Sequence, residues 1–573
     1  MPENSPGECN LLWAFALIDG LASSGVTQAV VSPGSRSTPL VLACDSHPAI
    51  EVTPMVDERC AAFFALGLAK QNHRPVILIA TSGSAPAHWF PAVIEACHSN
   101  IPLLLLTADR PPELHGWGAN QTTDQQNLFG SHLRAFHDPG PAQDNTPARA
   151  QLLQLGSDAA MHAVSPWPGP IQINMPFREP LLPPVPAKMP SPIERQRRKT
   201  QNGIADPDSV EAIVREIAGR PGLILCGASD LGKPFAQAVT HLAERLNCPI
   251  IADPLSNLRF GKHDKSTVIS HYDAFIETAA KRLKPSWILR FGALPVSKPL
   301  LQYLDKTAAP QLICDPYQQW PKMPPNGQLS ISAEPTSLCE AIETRQPEPA
   351  PAEWQNSFRQ MEQAAADLMQ PSTDGDRPFE GSLIKSLFDC LPNESLLFSG
   401  NSMPIRQLDS WSAKGDKAIH IAANRGVSGI DGNISTFIGM SGGGYRASVA
   451  LLGDLAFYHD MNGLLAARGK DLVIVLINNN GGGIFGYLPQ ATLSSYERYW
   501  NTATELDFKQ TAALYGLNYQ RITRQSAFQP ALKQALNAKG PQLIEVMVER
   551  DYSIKRHRHY RGIVARQITR QNG

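Results

Sequence analysis

Long apolar runs are missing from this sequence. The longest, such as Leu472 to Ile477, fall far short of the roughly 20 residues that a helix needs to cross a bilayer. The opening residues Met1 to Asn10 have no basic segment leading into an apolar one, so neither export nor membrane insertion is expected. Cysteine is scarce, 9 in 573 residues, and no two stand in a C-x-x-C pair. That argues against a zinc ribbon or a secreted disulfide framework and predicts a reducing, cytoplasmic setting. Neither sign of charge is in excess: the formal net charge is -1 and the pI about 6.9. No basic field would hold the whole protein on nucleic acid or an anionic membrane, which leaves small molecules as the expected partners. Internal repeats and low-complexity tracts are also lacking.

What is present is an ordinary globular composition, 42% hydrophobic and 18% charged, on a chain too long for one core. Its length predicts roughly three or four domains. Prolines cluster at Pro180, Pro183, Pro184, Pro186, Pro190 and Pro192, ahead of the polar stretch Glu194 to Asn202, and mark a semi-extended linker. A second group, Pro347, Pro349 and Pro351, precedes a helical stretch from Trp354 to Met369 and a break at Pro371 to Pro378. The boundaries expected from these are 1–188, 203–346 and 372–573.

Each segment alternates short apolar runs with helix-like stretches. In the first the runs are Ala29 to Val31, Val76 to Ala80 and Leu103 to Leu106; in the second Leu223 to Leu225, Ile250 to Ala252, Trp287 to Leu289 and Leu312 to Cys314. In the third they are Ser395 to Phe398, Val449 to Leu452, Leu472 to Ile477 and Leu543 to Val548. Apolar runs without alternation belong to strands covered on both faces, so the expected class is α/β, three doubly wound domains with mainly parallel sheets.

The strongest chemical signal is Gly453-Asp454-Leu455 after one such run, followed by Asn478-Asn479-Asn480-Gly481 after the next. A strand, a crossover and a parallel strand fit that interval, which would bring Asp454 and Asn479 out at the carboxyl ends of neighbouring strands. Magnesium takes oxygen ligands, commonly one or two carboxylates with substrate phosphates, and Asp454, Asn479 and the Gly481 carbonyl supply part of such a shell. Read singly, Asp454 would be a helix N-cap and the asparagines a turn; their pairing and spacing favour the metal. Gly481 to Gly486 formally satisfies G-x-G-x-x-G, but no acidic residue follows at ribose distance, so it is read as part of a diphosphate site. Gly227 to Lys233 looks like a P-loop yet runs into Pro234, which has no hydroxyl for magnesium, and is read as a structural strand-to-helix turn.

The pair of motifs resembles the thiamine-diphosphate-binding pattern, G-D-G followed by N-N, with Leu455 in place of the third glycine. Such chemistry needs a carboxyl group against the aminopyrimidine ring. Glu58 is the candidate, in Met55-Val56-Asp57-Glu58-Arg59 before a small-residue helix Ala61 to Ala69; the competing reading is that Asp57 and Glu58 merely complement a helix N-terminus.

A wider resemblance rests on Ser32-Pro33-Gly34-Ser35-Arg36-Ser37-Thr38-Pro39-Leu40, Asp57-Glu58-Arg59, Leu106-Thr107-Ala108-Asp109-Arg110-Pro111, Gly118-Ala119-Asn120-Gln121-Thr122, Asn424-Arg425-Gly426 and Gly429-Ile430-Asp431-Gly432. Together these resemble the 2-succinyl-5-enolpyruvyl-6-hydroxy-3-cyclohexene-1-carboxylate synthase family. The resemblance implies thiamine diphosphate with magnesium or manganese, decarboxylation of 2-oxoglutarate, and conjugate addition of the product to isochorismate. It implies Glu58 as the activating acid and Asn120 and Gln121 near cofactor and substrate. Ile430 would wedge the cofactor, with Ile484, Phe485 and Leu488 as an apolar wall and Ser402 near the diphosphate and the substrate. Dianionic substrates call for guanidinium groups, whose forks match carboxylates; Arg36, Arg110, Arg406 and Arg425 fit, with Ser35 and Lys298, the latter near the start of a predicted helix, as further substrate candidates. Family members can present an adjacent basic pair there, where this chain has Pro299.

In related enzymes the glutamate and the metal motif serving one cofactor come from different chains, which implies a homodimer or homotetramer. No flavin is expected in the middle domain. The basic run Lys555 to Arg561 is expected to be a solvated terminal helix. Rival readings are another thiamine-dependent decarboxylase or carboligase, and a non-catalytic protein that keeps the fold.

Overall fold

The computed structural model describes residues 4–184, 190–192, 203, 205–320, 327–371 and 375–570. Pro186, the stretch Glu194 to Asn202 and positions 372–374 of the second break lie outside the described residues. Three six-stranded sheets carry the chain, all of whose strand pairs are parallel.

The first sheet comprises β1 (Gln28–Val31), β2 (Glu51–Pro54), β3 (Val76–Ala80), β4 (Leu103–Asp109), β5 (Ala135–His137) and β6 (Ile171–Pro176), in the order β2-β1-β3-β4-β6-β5. The second holds β7 (Gly222–Cys226), β8 (Ile250–Ala252), β9 (Val268–Ile269), β10 (Trp287–Phe291), β11 (Gln311–Cys314) and β12 (Gly327–Ile331), in the order β12-β11-β10-β7-β8-β9. That is the strand order of dinucleotide-binding folds. The third holds β13 (Ser395–Ser399), β14 (Ile419–Ala422), β15 (Ala447–Gly453), β16 (Val473–Asn478), β17 (Asn518–Ile522) and β18 (Gln542–Met547), in the order β14-β13-β15-β16-β18-β17. Relabelled from its own first strand, this order is identical to that of the first sheet. The expected doubly wound α/β class is therefore correct, and the first and third sheets repeat one topology without a repeat in sequence.

Central strands such as β3, β4, β7 and β16 are buried along their whole length, because helices cover both faces and the side chains of either parity lose water. By compactness the chain divides into two units: Met1–Thr200 with Asn424–Gly444 and Phe457–Arg468, and Gln201–Ala423 with Tyr445–Ala456 and Gly469–Gly573.

Within the first unit the helix Glu58–Asn72 crosses the helix Asn433–Met440 at paired glycines. A Cβ on Gly67 would lie 2.1 Å from the Thr436 carbonyl oxygen, and one on Gly439 would lie 2.2 Å from that of Phe64. Only bare backbone fits this crossing, and it fixes the helix that begins with Glu58. Within the second unit an apolar core runs from Leu223 and Ile288 through Phe358 and Met361 to Val475, Tyr560 and Val564. The helices Ala352–Leu368 and Arg550–Arg570 contribute to it. The run Lys555 to Arg561 is thus helical as expected but not simply solvated: His557 and Tyr560 within it are buried, as are Val564 and Ile568 further along the same helix, a correction forced by their shared face.

Candidate active site

In an open parallel sheet, ligands bind beyond the carboxyl ends of the strands, where the strand order reverses. In the third sheet that point falls between β13 and β15. Strand β13 runs into Gly400-Asn401-Ser402, and Ser402 stands at φ 71° and ψ -121°, directly before the helix Met403–Trp411. A residue with a Cβ rarely takes that conformation, and such strain collects at functional sites.

Strand β15 ends at Gly453, opposite Ile477 of β16, so Asp454 and the asparagine run leave the sheet at the same end. Asp454 begins the helix Asp454–His459, as the N-cap reading expects of its position, but its carboxylate does more. It is 3% exposed, and Oδ2 accepts the Gly481 N–H at 2.6 Å. Burial pushes its carboxyl up to about 6, against the pull of the N–H groups that point at it. Asn478 donates to Glu545 at 2.6 Å and accepts from the Asn480 N–H at 2.9 Å, which pins the turn.

Asn479 keeps its Oδ1 buried and without a hydrogen-bond partner. An orphaned buried acceptor costs about 1–3 kcal/mol, and a cation would relieve it. Gly481, at φ 133°, admits no side chain: a Cβ would lie 2.1 Å from the Asn501 carbonyl oxygen. Among the described residues no group of three or more His, Cys, Asp or Glu could hold a metal ion. A divalent ion here would rest on one carboxylate, one amide oxygen, a carbonyl and the phosphates of a ligand, a donor set that suits magnesium. The residues present fit such an ion.

After Gly481 the chain forms the 3-10 turn Gly483–Tyr487, with Ile484, Phe485 and Leu488 half-buried. Ile484 and Leu488 line a cavity of about 500 Å³ together with Lys298, the first residue of the helix Lys298–Lys306, and Arg406. The Arg406 guanidinium donates through Nη1 to the Ser402 carbonyl at 2.6 Å.

The first unit holds the remaining candidates. Asp57 caps the helix Glu58–Asn72: its Oδ1 accepts the Cys60 N–H at 3.1 Å and its Oδ2 accepts from Asn462 at 2.9 Å. Glu58 is half-buried, and no hydrogen bond or ion pair engages its carboxylate among the described residues. The capping role thus falls to Asp57. Asp460, buried and pushed up to about 6 by that burial, accepts the Ser435 N–H at 2.7 Å and the Cys60 thiol at 3.5 Å. It ties the Glu58 helix to the start of its neighbour.

The loop with Arg425 and Ile430 hangs on Glu95, 2% exposed, whose two oxygens accept the Gly426 and Val427 N–H groups at 2.8 Å each. Glu95 escaped sequence reading because one acid in an apolar helix carries no motif.

Arg36 and Arg110 converge on one carboxylate. Both reach Glu179, at 2.7 Å and 3.8 Å, and the Glu179 side chain is 68% exposed. Burial lowers the Arg36 pKa, as does the charge of Arg110. Glu179 was also missed, since nothing near it in sequence resembles a site. Ser35 is exposed beside Arg36. Asn120 and Gln121 lie exposed on a loop, where Gln121 exchanges hydrogen bonds with Ser82: its Nε2 donates to the Ser82 carbonyl at 3.2 Å and its carbonyl accepts the Ser82 hydroxyl at 3.0 Å.

Residues 13–128 match the family model described as thiamine pyrophosphate enzyme, N-terminal TPP binding domain, and residues 413–546 match the corresponding C-terminal TPP binding domain. A crystal structure of benzoylformate decarboxylase from Polynucleobacter necessarius shares the fold, with a TM-score of 0.72 over 94% of this chain and 98% of that one at 16% identity. Fold and matched domains together define a thiamine-pyrophosphate enzyme. Proteins named 2-succinyl-5-enolpyruvyl-6-hydroxy-3-cyclohexene-1-carboxylate synthase are similar over nearly the whole chain. That of Bacillus velezensis is 41% identical over 97% of this chain and 98% of its own. Those of Geobacillus kaustophilus and Dechloromonas aromatica are 40% and 41% identical, over 98% and 94% of this chain and 98% and 99% of theirs. The chain belongs to the 2-succinyl-5-enolpyruvyl-6-hydroxy-3-cyclohexene-1-carboxylate synthase family.

Proposed function

We propose that this enzyme decarboxylates 2-oxoglutarate and joins the remaining four-carbon unit to isochorismate, giving 2-succinyl-5-enolpyruvyl-6-hydroxy-3-cyclohexene-1-carboxylate and carbon dioxide in menaquinone biosynthesis. The observation that carries the reading is the paired turn at the carboxyl end of the third sheet, where buried Asp454 holds Gly481 and the Asn479 oxygen has no partner.

Asp454, Asn479 and the Gly481 carbonyl would hold magnesium or manganese, and the ion would neutralise the diphosphate of the cofactor. Bound thiamine diphosphate supplies the nucleophilic carbon and the electron sink that decarboxylation requires. Glu58 holds the proton at the aminopyrimidine nitrogen, a task for which its carboxylate is left over once Asp57 caps the helix. Ile430, Ile484, Phe485 and Leu488 exclude water from the reacting centre, so that carbon–carbon bond formation outruns protonation. Ser402 stands near the diphosphate and the substrate, and Asn120 and Gln121 near cofactor and substrate. Ser35, Arg36, Arg110, Lys298, Arg406 and Arg425 take the carboxylates of the two acids.

The enzyme works as a homodimer or homotetramer in the cytoplasm, with Glu58 of one copy serving the cofactor held by another. Its domains are 1–188 for the pyrimidine, 203–346 as a central element and 372–573 for the diphosphate.

Purified protein with thiamine diphosphate and magnesium is given 2-oxoglutarate and isochorismate, with pyruvate as control. Coupling is expected only with the first pair, and Glu58→Gln should slow it by about 10²–10⁴. Carboligation confined to pyruvate, or a Glu58→Gln variant as fast as the parent, would overturn the proposal.

A further inference from the structure

The cavity beside Ile484 and Leu488 is lined by four cations, Lys298, Arg406, Arg558 and Arg561, two of which come from the basic run read in sequence as solvated. Of the three acids on its wall, Glu277 is exposed, and Asp409 and Asp273 are engaged within the protein. Asp409 is committed to Arg259 and Tyr272, each at 2.6 Å. Asp273 accepts the Ser297 hydroxyl at 2.6 Å and the Ser410 hydroxyl at 2.9 Å, and it pairs with Arg561. Lys298 and Arg558 are exposed and form no ion pair with any described carboxylate.

The helix that presents the two arginines is anchored. His557 is buried and accepts the Trp411 indole N–H at 3.0 Å, and Tyr560, Val564 and Ile568 are buried in the core. Arg558 and Arg561 are three residues apart and so share a neighbouring face of the helix. Lys298 lines the same cavity, followed by Pro299, which has no charge to contribute and also lines it.

We infer that Arg558 and Arg561 of the C-terminal helix, which line this cavity together with Lys298, form with it a clamp for the carboxylates of the cyclic acceptor. The inference rests on the function proposed above. A cavity of about 500 Å³ with apolar walls at Val296, Ile484 and Leu488 suits a ring bearing two carboxylates better than a five-carbon chain, most of whose volume it would leave to water. The anchored helix fixes where the two side chains start, and a planar guanidinium fork loses less freedom per hydrogen bond to a carboxylate than an ammonium does.

The test is Arg558→Gln in the full-length enzyme loaded with thiamine diphosphate and magnesium. Arg558 is solvent-facing, so the variant should keep its Tm. The KM for isochorismate should rise roughly tenfold, the loss of a charge-assisted hydrogen bond, while that for 2-oxoglutarate moves less than about twofold. Arg558→Lys should restore part of the loss, and adding Pro299→Arg to Arg558→Gln should restore more, by placing a guanidinium beside Lys298. An unchanged KM for isochorismate, an equal rise in both constants, or no rescue by Pro299→Arg would overturn the inference. Calorimetric titration with isochorismate alone separates this from the reaction itself. If the parent enzyme fails to couple the two acids, the proposed function falls; if Arg558→Gln binds isochorismate as tightly as the parent, the clamp falls.

Discussion

The glycine crossing that seats the Glu58 helix gives the sharpest prediction. In Gly67→Ala the new methyl would stand 2.1 Å from the Thr436 carbonyl oxygen, with the Gly439 Cα 3.0 Å away. Both neighbours are backbone, so no side chain can swing aside. Ordinary non-bonded separations are about 3.5–4.0 Å, and the two helices must therefore part by about 1 Å or more. Overpacking of this kind costs about 1–3 kcal/mol, partly offset by the gain of about 1 kcal/mol that alanine brings over glycine within a helix.

The net loss is modest, but the geometric effect should be larger. Glu58 lies nine residues before Gly67 on the same helix, and in the role proposed for it a misplacement of about 1 Å can cost about 10²-fold in rate. Thermal melting and steady-state rates on Gly67→Ala are compared with Gly442→Ala, whose Cβ would meet nothing within 4 Å. The crossing variant should melt a few degrees lower and lose far more activity than stability. Gly439→Ala should mimic it, and the double variant should be less than additive, since one separation serves both. Equal activity in Gly67→Ala and Gly442→Ala would refute the argument.

Three further outcomes follow from named groups. Removing divalent ions with a chelator, or Asn479→Ala, should release thiamine diphosphate from the enzyme, and calorimetry should find cofactor binding weakened at least tenfold; tight binding in metal-free Asn479→Ala would contradict the role given to the orphaned oxygen. Glu362 is buried, yet hydrogen bonds from Ser270 and His271 and the charges of His271 and Lys414 outweigh that burial and hold its carboxyl at about 2. Its folded value lies below the ordinary 4.5, so its contribution, on the order of 3 kcal/mol, is present above pH 4.5 and is lost as pH falls towards 2. Urea titrations should show Glu362→Gln less stable at pH 7 and flatter across that acid window, and parallel pH curves for parent and variant would count against it. Glu179→Gln should lower the KM for a dicarboxylate substrate severalfold by removing an internal competitor for Arg36 and Arg110, whereas a raised KM would mean that Glu179 orients the two arginines.

The strands that sequence reading found and missed divide on physical lines. All eleven apolar runs fall in central strands, which are covered on both faces and so are apolar at most positions. The six edge strands β2, β5, β9, β12, β14 and β17 passed unread. One side of an edge strand faces solvent, and β2 and β17 are largely exposed; β9 is two residues long. The remaining omission, β6, is central and fully buried, but its pattern is broken by Gln172 and Asn174. Those polar groups are bonded within the protein: Gln172 donates to the Gln125 carbonyl at 2.7 Å, and Asn174 accepts the Thr107 hydroxyl at 2.8 Å. A buried amide satisfied from another loop looks in sequence like a surface residue.

The same distinction governs the site. What was legible was backbone-encoded: a turn such as Asp454 to Gly481 needs particular residues at fixed offsets, because a glycine must stand where φ is 133° and a carboxylate must meet its N–H. What was illegible was convergent. Glu95, Glu179 and Arg561 pair with groups more than a hundred residues away, and nothing in their sequence neighbours constrains their type. For the basic run the misreading has a definite cause, since a helix with a narrow buried face and two adjacent arginine positions carries the charge pattern of a solvated helix. Only the anchoring of His557 and Tyr560 in the core turns that charge towards the cavity. If the clamp holds, substrate choice can shift through a helix remote from every motif, while the turns proposed to hold cofactor and metal keep their sequence pattern.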